Sequence, residues 1–471
     1  MNLINKLKLS IKGAFIRLIV FLIHKEQYMI LTVLILVNIK EKKNGKNSRF
    51  FSNPLNKITV LALDCDRYRG DLESLSYHNE LRVLYINQRA AGWLVKPFYE
   101  ELNIMRYVNA KNGSNDAISH KKAYDFMYKF LRIFYKYISI DCVTTVNYRY
   151  VEDYNWAKAS DRLGVPFIML YRECLLACNR LYDYVVSRQK TFGSFHGSHI
   201  IVQNNTCKQA FIDSDFAPAN KITAAGAIRM DSFIDKINKQ KNKKKYSKKT
   251  FILFYFPYTA NLFGKEQPVS ELTYKYQYYC KNWEHRKELF SDLHNAIIEL
   301  AIEYPEIDFI IKPKQEMVEN VSWGFYEEVV RKSKVNIKKL FNYRVDLSLN
   351  VSDAIINTDI VCALQSSTVI ESAIAGKRVI LPLFYDYLNS LHSNDFLWKN
   401  NIDLFDVATD KDKFKKTFKS IIKNNEIEIP KNIQEERVKL FEKWLFTTNR
   451  NSLDMYYKTI KRVVQSHVKK L

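Results

Sequence analysis

A chain of 471 residues, 47% hydrophobic and 14% aromatic, is long enough for two or three cores and too apolar to stay disordered. With 12 glycines, 10 prolines and no internal repeat, low-complexity and solenoid architectures are excluded. The net charge of +23 suits phosphorylated substrates or anionic lipid; lysine is spread along the whole chain, with no zinc-finger spacing and no single basic recognition helix, so nucleic acid is not the expected partner.

Residues 1–50 form an extension of their own. Gly13 to Ile23 and Tyr28 to Val37 are strongly apolar, but each falls short of the roughly eighteen uncharged residues of a bilayer span, and Arg17 interrupts the first. No small-residue cleavage site follows, so a cleaved signal is not expected. Lys6, Lys8, Lys12 and Arg17 beside these runs suit a helix lying on an anionic membrane face; the alternative is a helix packed on the globular body. Lys40 to Asn47 reads as a solvated linker.

Between 51 and 235 short apolar strands alternate with helices. Strands are expected at Ile58–Leu63, Leu81–Ile86, Asp141–Val146, Phe167–Leu170 and Ile200–Val202, with helices at Lys121–Ile138 and Trp156–Leu163. That alternation implies a doubly wound parallel sheet, whose ligands collect past the carboxyl ends of the strands. Tyr171-Arg172-Glu173 stands directly after such a strand. Glu173 is therefore the candidate catalytic base for an acceptor hydroxyl, the alternative being a surface ion pair with Arg172. His196 and His199 precede a strand, the wrong edge for a substrate, and read as structural. The seven cysteines have no paired spacing, and Cys174 and Cys178 lack a second Cys/His pair, so a reduced, cytoplasmic protein without a metal site is expected.

The stretch Pro218-Ala219-Asn220-Lys221-Ile222 followed by Gly226-Ala227-Ile228-Arg229-Met230-Asp231 resembles the end of the N-terminal domain in bacterial polysaccharide and teichoic-acid-type transferases, CDP-glycerol glycerophosphotransferase-like enzymes among them. The resemblance makes Arg229 a donor- or acceptor-phosphate ligand, for which its planar fork is suited; Arg229 and Asp231 could equally fix a hinge. Residues 236–250, dense in lysine, mark a linker.

From 251 to 432 a second sheet is expected, opening with Phe251–Phe256 and the polar turn Pro257–Asn261. The strand Ile307–Lys312 ends in Lys312-Pro313-Lys314, and Val351–Ile356 is a helix. The stretch Asn357–Pro382 then reads as a short apolar strand, the turn Ser366-Ser367-Thr368, a helix with Glu371 in its first turn, the stop Gly376 and a second apolar strand, one βαβ unit. Free N–H groups at that helix start suit a diphosphate and Glu371 a ribose hydroxyl, unless Thr368 and Glu371 merely form a capping box. The sequence Glu371-Ser372-Ala373-Ile374-Ala375-Gly376-Lys377-Arg378-Val379 is similar to the donor half of GT-B-fold glycosyltransferases, with Arg378 where proline is usual, Ala363 where many retaining members carry glutamate, and Leu364 and Gln365 where small residues are usual. Lys312-Pro313 matches that fold's Lys-Pro-His-Pro element, with Lys314 where histidine is usual. Residues 433–471 form an amphipathic tail that, in such enzymes, crosses back to the first domain.

The resemblance implies an α/β protein of two Rossmann-like doubly wound parallel-sheet domains facing a cleft. It also implies a metal-independent, cofactor-free glycosyltransferase or glycerophosphate-type transferase building a surface polysaccharide. Its partners would be a nucleotide-sugar donor, a glycan or lipid-linked acceptor and an anionic membrane. Donor-binding residues would be Lys312, Ser366, Ser367, Thr368, Glu371 and Arg229. The alternatives are a nucleotide-sugar epimerase of the same fold and a non-catalytic, membrane-associated binding protein on it.

Overall fold

The computed structural model describes residues 15–48, 56–86, 90–101, 103–240, 248–256, 285–314, 321–424, 428–445 and 451–468. Lys6, Lys8, Lys12, the turn from Pro257 to Asn261 and residues 241–247 of the expected linker lie outside them. The chain forms two compact units: Met1–Cys174 with Val185–Ser232 and Leu445–Leu471, and Leu175–Tyr184 with Phe233–Trp444.

Unit 1 is built on strands β1 (Ile39–Lys43), β2 (Lys46–Ser48), β3 (Ile58–Ala62), β4 (Leu81–Ile86), β5 (Cys142–Thr145), β6 (Phe167–Leu170), β7 (His199–Val202) and β8 (Ile222–Ala224), in the order β2-β1-β4-β3-β5-β6-β7-β8. From β4 to β8 every pairing is parallel. These strands are short and apolar because both faces are covered; β4, β5, β6 and β7 are buried at every position. Numbered by themselves, the parallel strands run 2-1-3-4-5-6, so strand order reverses between β3 and β5. The helix Ser452–Val468 packs Tyr456, Ile460 and Val463 into this core, and its first turn is held by Asp231, whose Oδ2 accepts the Leu453 N–H at 2.8 Å.

The reading of 40–47 as a linker is corrected here. Those residues form the hairpin β1–β2, and β1 adds antiparallel to β4. Two of the charges that suggest solvent are paired: Lys42 to Glu73 at 2.5 Å and Glu41 to Arg82 at 3.3 Å. The helix Arg229–Gln240 likewise runs five residues into the expected linker.

Unit 2 contains β9 (Thr250–Phe254), β10 (Asp308–Lys312), β11 (Tyr343–Val345), β12 (Ile360–Cys362), β13 (Arg378–Pro382) and β14 (Asp406–Ala408). All pairings are parallel, in the order β11-β10-β9-β12-β13-β14. Numbered from β9, this is 3-2-1-4-5-6, the dinucleotide-fold order, with its reversal between β9 and β12. The two doubly wound parallel sheets expected from the alternating pattern are both present.

Candidate active site

In unit 2 the hydroxyl-rich turn directly follows β12, so it lies at the carboxyl edge where strand order reverses. Its backbone is clamped from below. The Trp398 indole donates to the Leu364 carbonyl at 3.0 Å, the Gln365 amide donates to Asp395 O at 2.9 Å, and its Oε1 accepts the Leu397 N–H at 3.0 Å. Leu364 and Gln365 therefore anchor the turn, which is why small residues are not needed there.

The helix proper spans Thr368–Ile374, with Ser367 as N-cap and no side-chain cap bond. The capping box offered by Thr368 and Glu371 is not formed. The Glu371 N–H goes to the Ser367 carbonyl at 2.9 Å, and Thr368 Oγ1 is buried without a hydrogen-bond partner. Ser366 Oγ accepts the Thr368 N–H at 3.3 Å. Glu371 is 4% exposed. A carboxylate so placed is costly unless paired, so its neighbours must satisfy it.

The helix ends in a Schellman motif: Gly376, at φ +69°, donates to Ala373 O and Lys377 to Ser372 O. The helix Lys431–Leu445 then fastens that end, Gln434 donating to the Ala373 carbonyl at 3.1 Å and Arg437 Nη1 to the Lys377 carbonyl at 2.9 Å.

Lys312 ends β10 opposite Phe254, and Cys362 sits opposite Leu253, so two inter-strand steps, about 10 Å, separate Lys312 from Ala363 at the start of the turn. The Lys312 ammonium donates to Pro313 O at 2.9 Å and Leu347 O at 3.2 Å, toward the β11 side. Burial lowers its pKa, with Asp346 acting in the opposite direction.

Glu173 and Arg229 belong to unit 1. Glu173 follows β6, is 64% exposed on its side chain, and lies 3.7 Å from Arg188 Nη1. The Arg172–Glu173 ion pair considered from sequence is not made. Arg172 instead binds Asp71 at 2.6 Å and donates to the Arg67 carbonyl at 3.0 Å. Arg229 Nη1 stands 3.9 Å from the same Asp71. Burial raises the Asp71 pKa against the pull of Arg172 and Arg229.

The sequence pattern gave no sign of a second cluster, at the strand-order reversal of unit 1. Arg67, in the turn after β3, binds three carboxylates: Asp64 at 2.6 Å, Glu152 at 2.7 Å and Asp153 at 3.0 Å, with the Tyr150 ring 3.8 Å over its guanidinium. Asp153 also accepts from Thr145 Oγ1 at 2.8 Å. One guanidinium cannot neutralise three buried carboxylates, so burial, only partly countered by Arg67, drives the Asp153 pKa up to about 8. The only hint in the sequence is the adjacent pair Glu152-Asp153, which reads as an ordinary first helical turn. His196 and His199 are bound to Tyr154 at 2.9 Å and Thr223 at 2.8 Å.

No protein-family model matches the chain, and no curated protein matches it. Similar solved structures include UDP-GlcNAc 2-epimerase from Neisseria meningitidis bound to UDP-GlcNAc, at 12% identity over 86% of this chain and 100% of that one, with a TM-score of 0.45. A UDP-forming α,α-trehalose-phosphate synthase from Burkholderia xenovorans follows at 9% identity, covering 87% and 99%, TM-score 0.43. Anabaena HepE in complex with UDP and glucose is 12% identical, covering 86% and 99%, TM-score 0.42. At these TM-scores the likenesses carry no argument about activity.

Proposed function

We propose that the chain is a metal-independent glycosyltransferase that uses a nucleotide-activated sugar to extend a cell-surface polysaccharide. The observation that carries the reading is the 3-2-1-4-5-6 order of unit 2 with Ser366–Glu371 at its reversal, the place where a fold of this order holds nucleotides. In this reading Ser366, Ser367 and Thr368 bind the donor diphosphate and Glu371 a ribose hydroxyl. Lys312 offsets the charge that develops on the leaving nucleotide, and Arg229, in unit 1, is assigned to a donor or acceptor phosphate. Unit 1 presents the acceptor, a glycan or lipid-linked saccharide. Its hydroxyl attacks the anomeric carbon, the bond from that carbon to the phosphate oxygen breaks, the nucleotide leaves, and the hydroxyl proton passes to Glu173. The exposure of Glu173 leaves it open to a bulky acceptor.

The test is to incubate the full chain with labelled nucleotide sugars and candidate glycan acceptors, following both the freed nucleotide and the sugar. Transfer slowed about 10²- to 10⁴-fold by Glu173→Gln, with donor binding unchanged, is the expected result. Sugar that stays on the nucleotide with one carbon inverted would make the chain an epimerase; nucleotide binding without turnover would make it a binding protein.

A further inference from the structure

The helices 15–24 and Tyr28–Leu36 are apolar on almost every side, and only one face of them is core. Ile19, Leu22, Ile23, Leu31 and Ile35 are buried, and the Tyr28 ring packs 5.5 Å from Phe126 in the helix Asn115–Tyr137. Ile16, Phe21, Met29, Ile30, Val33 and Val37 face solvent, Phe21 and Val33 at 54% and Val37 at 72% exposure. Single exposed apolar residues are ordinary; this many within two successive short helices mark a docking surface. No helix among the described residues is long and apolar enough to cross a membrane.

Charge says what covers this surface. Residues 15–48 contain six cations (Arg17, Lys25, Lys40, Lys42, Lys43 and Lys46) and two acids, both already paired: Glu26 with Lys129 at 3.0 Å and Glu41 with Arg82. After the second helix, β1 leads to a cavity of about 310 Å³ whose charged lining is Glu41, Lys42, Lys43, Lys57 and Arg82; Arg82 is paired with Glu41 and Lys42 with Glu73, which leaves Lys43 and Lys57 to face an anion. Lys43 and Lys57 are exposed and have no carboxylate partner among the described residues. Lys43 stands seven residues beyond the helix end at Leu36, so it lies within about 23 Å of it.

We propose that these two helices dock unit 1 on an anionic bilayer, Phe21, Met29, Ile30, Val33 and Val37 entering the boundary between headgroups and acyl chains while the lysine-lined cavity receives a lipid phosphate. Apolar burial and attraction to anionic headgroups act together in such docking, and neither alone holds a protein firmly. The proposal is independent of whether the chain transfers sugar.

The test is co-sedimentation of the full chain with vesicles of phosphatidylcholine alone and of phosphatidylcholine mixed with phosphatidylglycerol. Binding to the mixed vesicles should be at least about tenfold tighter and should weaken with salt. Phe21→Glu with Val33→Glu should abolish it. Lys43→Gln with Lys57→Gln should weaken it about tenfold or more, since each cation near a charged surface contributes about fivefold, while Lys338→Gln with Lys339→Gln, exposed in unit 2, should leave it within about twofold. Equal binding to both vesicle types, or retained binding by the Phe21/Val33 variant, would overturn the proposal. So would a control pair that weakens binding as much as Lys43 and Lys57 do. A wild-type dimer that the Phe21/Val33 variant dissolves, with no vesicle binding, would assign the surface to a second copy of the chain instead.

Discussion

Asp153 has no exposed surface and lies 3.0 Å from the Arg67 guanidinium, yet burial pushes its pKa up to about 8. Burial outweighs Arg67 because Glu152 and Asp64 draw on the same guanidinium. Its pKa is raised above the ordinary 3.8, so the folded state holds more protons than the unfolded chain between those values, and stability falls as pH rises through that window. Histidines work the other way. Burial lowers His120 and His199 to about 4 and His294 to about 3, against an ordinary 6.5, so they remove stability as pH drops below 6.5. Melting temperature should therefore rise from pH 8 toward about 6.5 and fall below it. Asp153→Asn should flatten the upper limb and steepen the lower, where its proton partly offsets the histidines; a thermal melt series showing an unchanged upper limb in the variant would refute the assignment. None of this is legible in the sequence, where Arg67 stands more than eighty residues from its partners. The place of Glu371 in the first turn of the helix after β12 was legible because local pattern alone sets it. The fate of Arg172, which turns from adjacent Glu173 to buried Asp71, could not be read from adjacency.

At the scale of elements, period and punctuation read well and charged edges read badly. The strand Leu81–Ile86 and the helix Val351–Ile356 have the bounds their apolar runs suggest, and Gly376 stops the helix after Glu371 because φ +69° suits a residue without Cβ. The β1–β2 hairpin was missed because its charges read as solvated in isolation, whereas Lys42 and Glu41 are paired with Glu73 and Arg82 from elsewhere in the chain. The helix Lys431–Leu445 shows what amphipathic pattern omits. Its Arg437 is 2% exposed and gives three N–H donors to backbone carbonyls, two to Leu404 and one to Lys377, which seats the far end of the candidate donor helix. Arg437→Met keeps the volume but leaves those buried carbonyls unpaired, at a cost on the order of 3 kcal/mol. A urea titration should show a lower midpoint, and nucleotide affinity should fall with it; an unchanged midpoint would mean that water replaces the guanidinium without loss.

For the whole molecule, alternation of short apolar strands with helices was enough to predict two parallel sheets, since only helix-covered parallel strands can be apolar on both faces. Strand order was not legible, because nothing in local pattern says on which side of β9 the chain adds β12. That order is what turns Ser366–Glu371 from an ordinary helix start into a candidate nucleotide site. It also separates Lys312 from the turn by about 10 Å, a span for a diphosphate and its sugar rather than for one phosphate. The central claim is thus that unit 2 binds a nucleotide at the reversal of its strand order. It is tested most directly by thermal shift of the full chain against nucleoside mono- and diphosphates and their sugars, since a ligand that binds only the folded state raises the melting temperature. The account predicts a rise with one nucleotide class that is lost in Glu371→Gln and reduced in Lys312→Met; no rise with any nucleotide, or a rise that Glu371→Gln leaves intact, would contradict it.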